Sequence, residues 1–175
     1  MSSFEKIANI AVILAAVAVV STNIYDRFTP RVPVAQATLA QKFLGKRMPL
    51  PDSVLSGAKG TVTLFISKDC HFCTASMAFY QRLAALKSPD SCNIKLVALA
   101  PKDHDLPEEV ETYLSGHNLS VDEIEVVDFA NLGVTGTPTV VLHDGARRVQ
   151  GLWVGLLSEA RQAEVIAKVT SVCHG

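Results

Sequence analysis

From Val62 to the end of the chain, short apolar runs alternate with segments of helical period, and this alternation constrains the fold more than any other feature. Val62–Ile66 (V-T-L-F-I) is apolar enough to lie in the middle of a sheet. Thr74–Lys87 reads as a helix with Phe79, Leu83 and Leu86 on one face, ended by Ser88-Pro89-Asp90. Ile94–Ala100 is a second buried strand. Pro107–Gly116 is a short helix, with proline and acids in its first turn and glycine at its end. Ile124–Val127 is a brief strand. Thr139–His143, the pair Asp144-Gly145 and Ala146–Gln150 read as a β-hairpin, and Ser158 caps a last helix to about Val172. This order predicts an α/β fold, a mixed central sheet flanked by helices. Right-handed crossovers place the start of the Thr74 helix at the carboxyl end of strand 62–66. Chemistry gathers at such edges of open α/β sheets.

At that edge stands S-K-D-C-H-F-C-T, residues 67–74. A Cys-X-X-Cys serves a haem, a metal or a redox disulfide. Haem attachment needs His after the second cysteine, and Thr74 stands there. Structural zinc needs four ligands, and the remaining cysteines and histidines are scattered. A Cu(I) carrier stays open, because two thiolates alone can hold that ion. The redox reading has a positive mechanism. At a helix N-terminus, Cys70 meets free backbone N–H groups and the positive end of the helix dipole, which favour thiolate over thiol. Cys73, one turn on and more buried, then resolves the mixed disulfide. A protonated His71 would stabilise the thiolate further, and Asp69 would oppose it. A second motif, Gly133–Leu142 (G-V-T-G-T-P-T-V-V-L), sets Thr137-Pro138 just before a strand. Pro138 either begins that strand or forms a cis turn, and beside a Cys-X-X-Cys in this topology the cis form is expected.

Strand, Cys-X-X-Cys, helix and then G-V-T-G-T-P-T with a hairpin resembles the thioredoxin superfamily over roughly residues 58–172. Within it, the layout is similar to the membrane-anchored thiol–disulfide oxidoreductases of the TlpA/ResA type, with Pro107–Gly116 and Ile124–Val127 as their extra insertion. The resemblance implies that Cys70 attacks, Cys73 resolves, Pro138 is a cis-proline packed against them, and the backbone of Thr137 pairs with a substrate strand. Phe72, second in the dipeptide, and Thr137 before the proline are more like the periplasmic disulfide isomerases, so His71 and Phe72 are candidates for redox tuning. The buried carboxylates common in such proteins are absent: Leu64 stands six residues before Cys70 and Ser76 six after it. In a thioredoxin-like topology the helix after Cys73 and the final helix end at the edge away from the active site. Cys92 and Cys173 then become neighbours. A structural disulfide between them is the hypothesis, and two unrelated thiols the alternative.

The resemblance also implies protein clients and a redox partner protein, no cofactor and no metal. Because the approach before residue 58 is too short for a dimerisation module, a monomer is expected. Sixteen Lys and Arg against seventeen Asp and Glu give no basic surface for nucleic acid. Hydrophobic content of 49% has a local source, the run Ile7–Tyr25. As a helix it would rise about 28 Å, close to the hydrocarbon thickness. Residues 1–25 therefore read as a membrane anchor, 26–57 as a linker and approach with a short helix around Ala37–Leu44, and 58–175 as the thioredoxin-like domain. A cleaved signal peptide is the alternative, although the Ala35-Gln36-Ala37 site lies far beyond the run. Lys6 alone precedes the run while Arg27 and Arg31 follow it, so charge does not favour export. Placement of the catalytic domain on the periplasmic side of an inner membrane rests on the cysteines instead.

Overall fold

Every residue of β1 (Gly60–Phe65) is buried, because the strand has a neighbour on each side and a packed layer on each face. The structure is a computed structural model and describes residues 34–56, 59–87 and 92–174. The apolar run Ile7–Tyr25 and the Ser88-Pro89-Asp90 stop lie outside these residues. No helix among the described residues is long and apolar enough to cross a membrane.

β1 pairs in parallel with β2 (Ile94–Pro101), which pairs in parallel with β3 (Glu123–Val127). On its other side β1 pairs antiparallel with β4 (Thr139–Asp144), and β4 with β5 (Val149–Val154). The sheet order is β3-β2-β1-β4-β5. This mixed sheet, flanked by helices, fits the expected thioredoxin-like architecture.

Strand alternation sends side chains to two cores. On one face Val62, Leu64, Leu96, Ala98, Val140 and Leu142 meet Phe79, Tyr80 and Leu83 of α3 (Met77–Ala85), Val110 and Leu114 of α4 (Pro107–Gly116), and Val165 and Val169 of α6 (Glu159–His174). On the other face Phe65, Val97, Leu99, Val141 and Leu152 meet Leu39 and Phe43 of α1 (Val34–Phe43), then Met48, Leu50, Val54 and Leu55, and Leu132 of the single-turn α5 (Phe129–Leu132). Each fully buried Leu or Phe contributes about 1.5–3 kcal/mol relative to exposure. Residues 34–56, inside the stretch read as linker and approach, thus supply much of the second core. Gly45 N–H donates to Val149 O at 2.8 Å and Val149 N–H to Lys46 O at 2.9 Å, tying this segment to β5. Gln36 Oε1 accepts from Arg161 Nη2 at 2.6 Å.

Three local readings need correction. The helix expected over Thr74–Lys87 starts earlier and is broken: α2 (His71–Ala75) is separated from α3 at Ser76. Ser76 N–H turns back to Cys73 O at 3.0 Å, and its hydroxyl donates to Phe72 O at 2.8 Å, a back-bond that competes with a regular helix. The second hairpin strand is Val149–Val154 rather than Ala146–Gln150. The Asp144 carboxylate accepts from Arg148 N–H at 2.9 Å and holds a longer turn, with Arg147 at φ 64°. The early helix reading of Ala37–Leu44 begins instead at Val34.

Trp153, expected as core or rim packing, is 2% exposed within β5. Its ring lies over Gly151, where any Cβ would collide with it. Its indole N–H donates to Glu164 Oε1 at 3.1 Å. At the far end of the sheet Cys92 is joined to Cys173 in a disulfide, with Cα atoms 4.7 Å apart.

Candidate active site

β1 ends at Phe65, and after four intervening residues the chain enters α2 through Cys70. Cys70 is the N-cap, with extended backbone at φ −85° and ψ 103°. Cys70 and Cys73 form a disulfide, with Cα atoms 5.2 Å apart. The two sulfurs differ in access. Cys70 is half-buried, whereas Cys73 is fully buried and belongs to the core under α3. Cys73 N–H donates to Cys70 Sγ at 3.1 Å. One turn of helix therefore supplies a sulfur that solvent can reach, a sulfur that it cannot, and an N–H aimed at the first.

His71 and Phe72, between them, are exposed, with ring centroids 5.8 Å apart in an edge-on arrangement. Phe72 is 54% exposed, which is unusual for so large an apolar side chain. Leu106 and Leu156, also exposed, follow the carboxyl ends of β2 and β5. Because β1, β2 and β5 run in the same direction, all three apolar side chains stand at the edge that carries Cys70.

Register brings the second motif to the same edge. Phe65 pairs with Thr139, so Pro138 lies beside the end of β1. The Thr137–Pro138 bond is cis. Pro138 is buried and Thr137 half-buried. The Pro138 carbonyl accepts from Gly155 N–H at 2.7 Å. Cys70, Cys73, His71, Phe72, Thr137 and Pro138 are thus gathered at one edge, while Cys92 and Cys173 lie at the opposite end.

Several neighbours escaped sequence reading. His104 is exposed, as its charged loop suggests, but Asp105 in the same loop is 3% exposed. Asp105 Oδ2 accepts from Lys68 N–H at 3.3 Å, in the turn before Cys70, and Oδ1 has no partner. Lys68 Nζ reaches Glu109 Oε2 at 2.6 Å, which also accepts from Leu106 N–H at 3.2 Å. Lys68 and the Leu106 N–H hold the Glu109 carboxyl below the usual range, and Glu109 in turn pushes the Lys68 ammonium up. Beside Cys73, the Thr74 hydroxyl and Tyr113 Oη share a hydrogen bond at 3.0 Å. Only the apolar Leu106 and the loop's charge density could have signalled this cluster, since burial of Asp105 depends on how two distant loops meet. Among the described residues, no group of three or more His, Cys, Asp or Glu is placed to hold a metal ion.

No family model and no curated protein matches the chain by sequence. Solved structures do match it. A thiol-disulfide isomerase from Corynebacterium glutamicum is 14% identical, with a TM-score of 0.56 over 74% of this chain and 93% of that one. A secreted disulfide oxidoreductase of Mycobacterium tuberculosis, homologous to E. coli DsbE, is 20% identical, with a TM-score of 0.52 over 69% and 85% of the two chains. DsbF of the same organism is 20% identical, with a TM-score of 0.52 over 81% and 99%. At this identity the likeness establishes the fold. The chain shares the thioredoxin-like architecture of these proteins.

Proposed function

We propose that this protein is a thiol–disulfide oxidoreductase that exchanges disulfides with extracytoplasmic protein partners through Cys70 and Cys73. The observation that carries this reading is the unequal pair in one helical turn, with Cys70 half-exposed and Cys73 fully buried. In one direction a client thiolate attacks Cys70 Sγ, the Cys70–Cys73 bond breaks, and Cys73 leaves with the electron pair. A second client thiolate then displaces Cys70, so two electrons have passed from client to enzyme. In the other direction reduced Cys70 attacks a client disulfide and Cys73 resolves the mixed disulfide. The Cys73 N–H stabilises negative charge on Cys70 in both, because a hydrogen bond to an ionised acceptor is stronger than one to a neutral acceptor.

Thr137 offers its backbone to an extended client segment, and Pro138 shapes the groove beside the disulfide. Phe72, Leu106 and Leu156 supply apolar contact for an unfolded chain. His71 and Phe72 tune the thiolate. No cofactor enters, since electrons come from and go to partner proteins. The run Ile7–Tyr25 anchors the protein as a monomer in an inner membrane, with the catalytic domain on the periplasmic side. The Cys92–Cys173 disulfide supports that placement, because such bonds persist in oxidising compartments.

Substitution Cys73→Ser tests the reading. It should leave Cys70 joined to client proteins in adducts that run high on a non-reducing gel and vanish with dithiothreitol or on further substitution of Cys70. Absence of such adducts, together with one bound copper per chain and no insulin reduction, would favour a Cu(I) carrier instead.

A further inference from the structure

The core cluster that holds Cys73 also holds a donor that the exchange chemistry leaves without a task. Tyr80 is 1% exposed and shares the core cluster of Cys73, Met77 and Leu83, yet its hydroxyl has no hydrogen-bond partner. It stands seven residues after Cys73, on the same side of the helical stretch. Long side chains on a helix reach back toward its N-terminus, so the ring runs from α3 toward the break at Ser76. Two flanking groups fix its surroundings: the Ser76 hydroxyl on its own stretch and Tyr113 on α4 both act on the Tyr80 phenol. The Ser76 hydroxyl lies close enough to act on the phenol as a hydrogen-bond partner, but no bond of full geometry forms. The Ser76 hydroxyl donates its proton to the Phe72 carbonyl, and Tyr113 is bonded to Thr74, the residue after Cys73. A buried phenol without a formed hydrogen bond therefore shares the core cluster of Cys73, whose sulfur solvent cannot reach.

We propose that Tyr80 is a positioning residue whose hydroxyl donates a hydrogen bond to Cys73 Sγ when the disulfide opens, and so stabilises the reduced pair. In the disulfide, the Cys73 sulfur is a weak, neutral acceptor. Once the bond to Cys70 breaks, the sulfur gains electron density, up to a full negative charge as the thiolate, and a buried donor then counts for most. Reduction by two glutathione thiols breaks the Cys70–Cys73 bond and forms one glutathione disulfide. Two electrons and two protons pass to the cysteine pair. Tyr80 keeps its own proton throughout: burial pushes its pKa far above the usual phenol, with Ser76 opposing only in part. The hydroxyl thus acts as a donor rather than a base.

The inference rests on the exchange activity proposed above, and one titration separates the two. Wild type and Tyr80→Phe are equilibrated in glutathione buffers. The state of Cys70 and Cys73 is read by differential alkylation and peptide mass, which keeps it apart from the Cys92–Cys173 pair. Tyr80→Phe should be about tenfold harder to reduce, a potential lower by about 30 mV for a two-electron couple. The oxidised variant should melt no lower than wild type, because only an unpaired hydroxyl has been removed. A variant that titrates with wild type, or that loses oxidised-state stability with no change in potential, overturns the role of Tyr80 and leaves the exchange activity standing. A wild-type pair that shows no reversible couple removes both.

Discussion

The backbone N–H of Lys68 donates to Asp105 Oδ2 at 3.3 Å, so a carboxyl 37 residues further along the chain holds the turn that delivers Cys70. That turn links a buried strand to the solvent-accessible sulfur, and the Lys68–Glu109 ion pair braces it from α4. Removing the acceptor leaves a part-buried N–H unpaired. Asp105→Ala should destabilise the oxidised protein by about 1–3 kcal/mol in urea unfolding, and Asp105→Asn, which keeps an acceptor oxygen, should recover most of the loss. The alanine variant should also change the rate at which reduced Cys70 is alkylated.

His143 sets an acid limit on stability. It is fully buried in β4, with Nε2 3.3 Å from the Thr63 hydroxyl and Nδ1 without a partner. Burial lowers its pKa from 6.5 to about 4, with Asp144 pulling weakly the other way. The unfolded chain therefore binds a proton between pH 6.5 and 4 that the folded chain refuses. Stability from this residue is complete above pH 6.5 and falls with acidification, by about 3 kcal/mol at pH 4. Urea unfolding across that window should show the loss in wild type, and His143→Leu should lack that component of the slope.

The Cys92–Cys173 bond closes a loop with a sequence separation of 81. In the chain-entropy model such a closure contributes about 4 kcal/mol. The double variant Cys92→Ala/Cys173→Ala should lose about that much in chemical denaturation. It should still exchange disulfides, since the bond lies at the end of the sheet away from Cys70.

What could be read ahead of the structure was local. Pro107 and Gly116 bound α4 because a proline fits only a helix start and a glycine suits an end, and both signals are single residues. The strands around β1 were legible because burial on both faces leaves near-continuous apolar runs. The hairpin failed where one carboxylate decided the outcome: Asp144 captures Arg148 N–H and Gln150 Nε2, and so delays β5. Ser76 breaks a helix that its neighbours favour, through a hydroxyl whose target is a carbonyl four residues back. The meeting of the two cysteines and the proline at one sheet edge was legible because their spacing and the order of the elements place them there. Asp105 and Tyr80 were not, since nothing in the residues around either announces which distant group will shut out water.

The docking of residues 34–56 on the sheet bears on where the chain can be cut. A version begun just before β1 would strip cover from Phe65, Val97, Leu99, Val141 and Leu152 together and leave the outer margin of β5 bare at Val149. Soluble expression of this domain thus demands a start at or before Val34, and a shorter truncation would be collected from inclusion bodies.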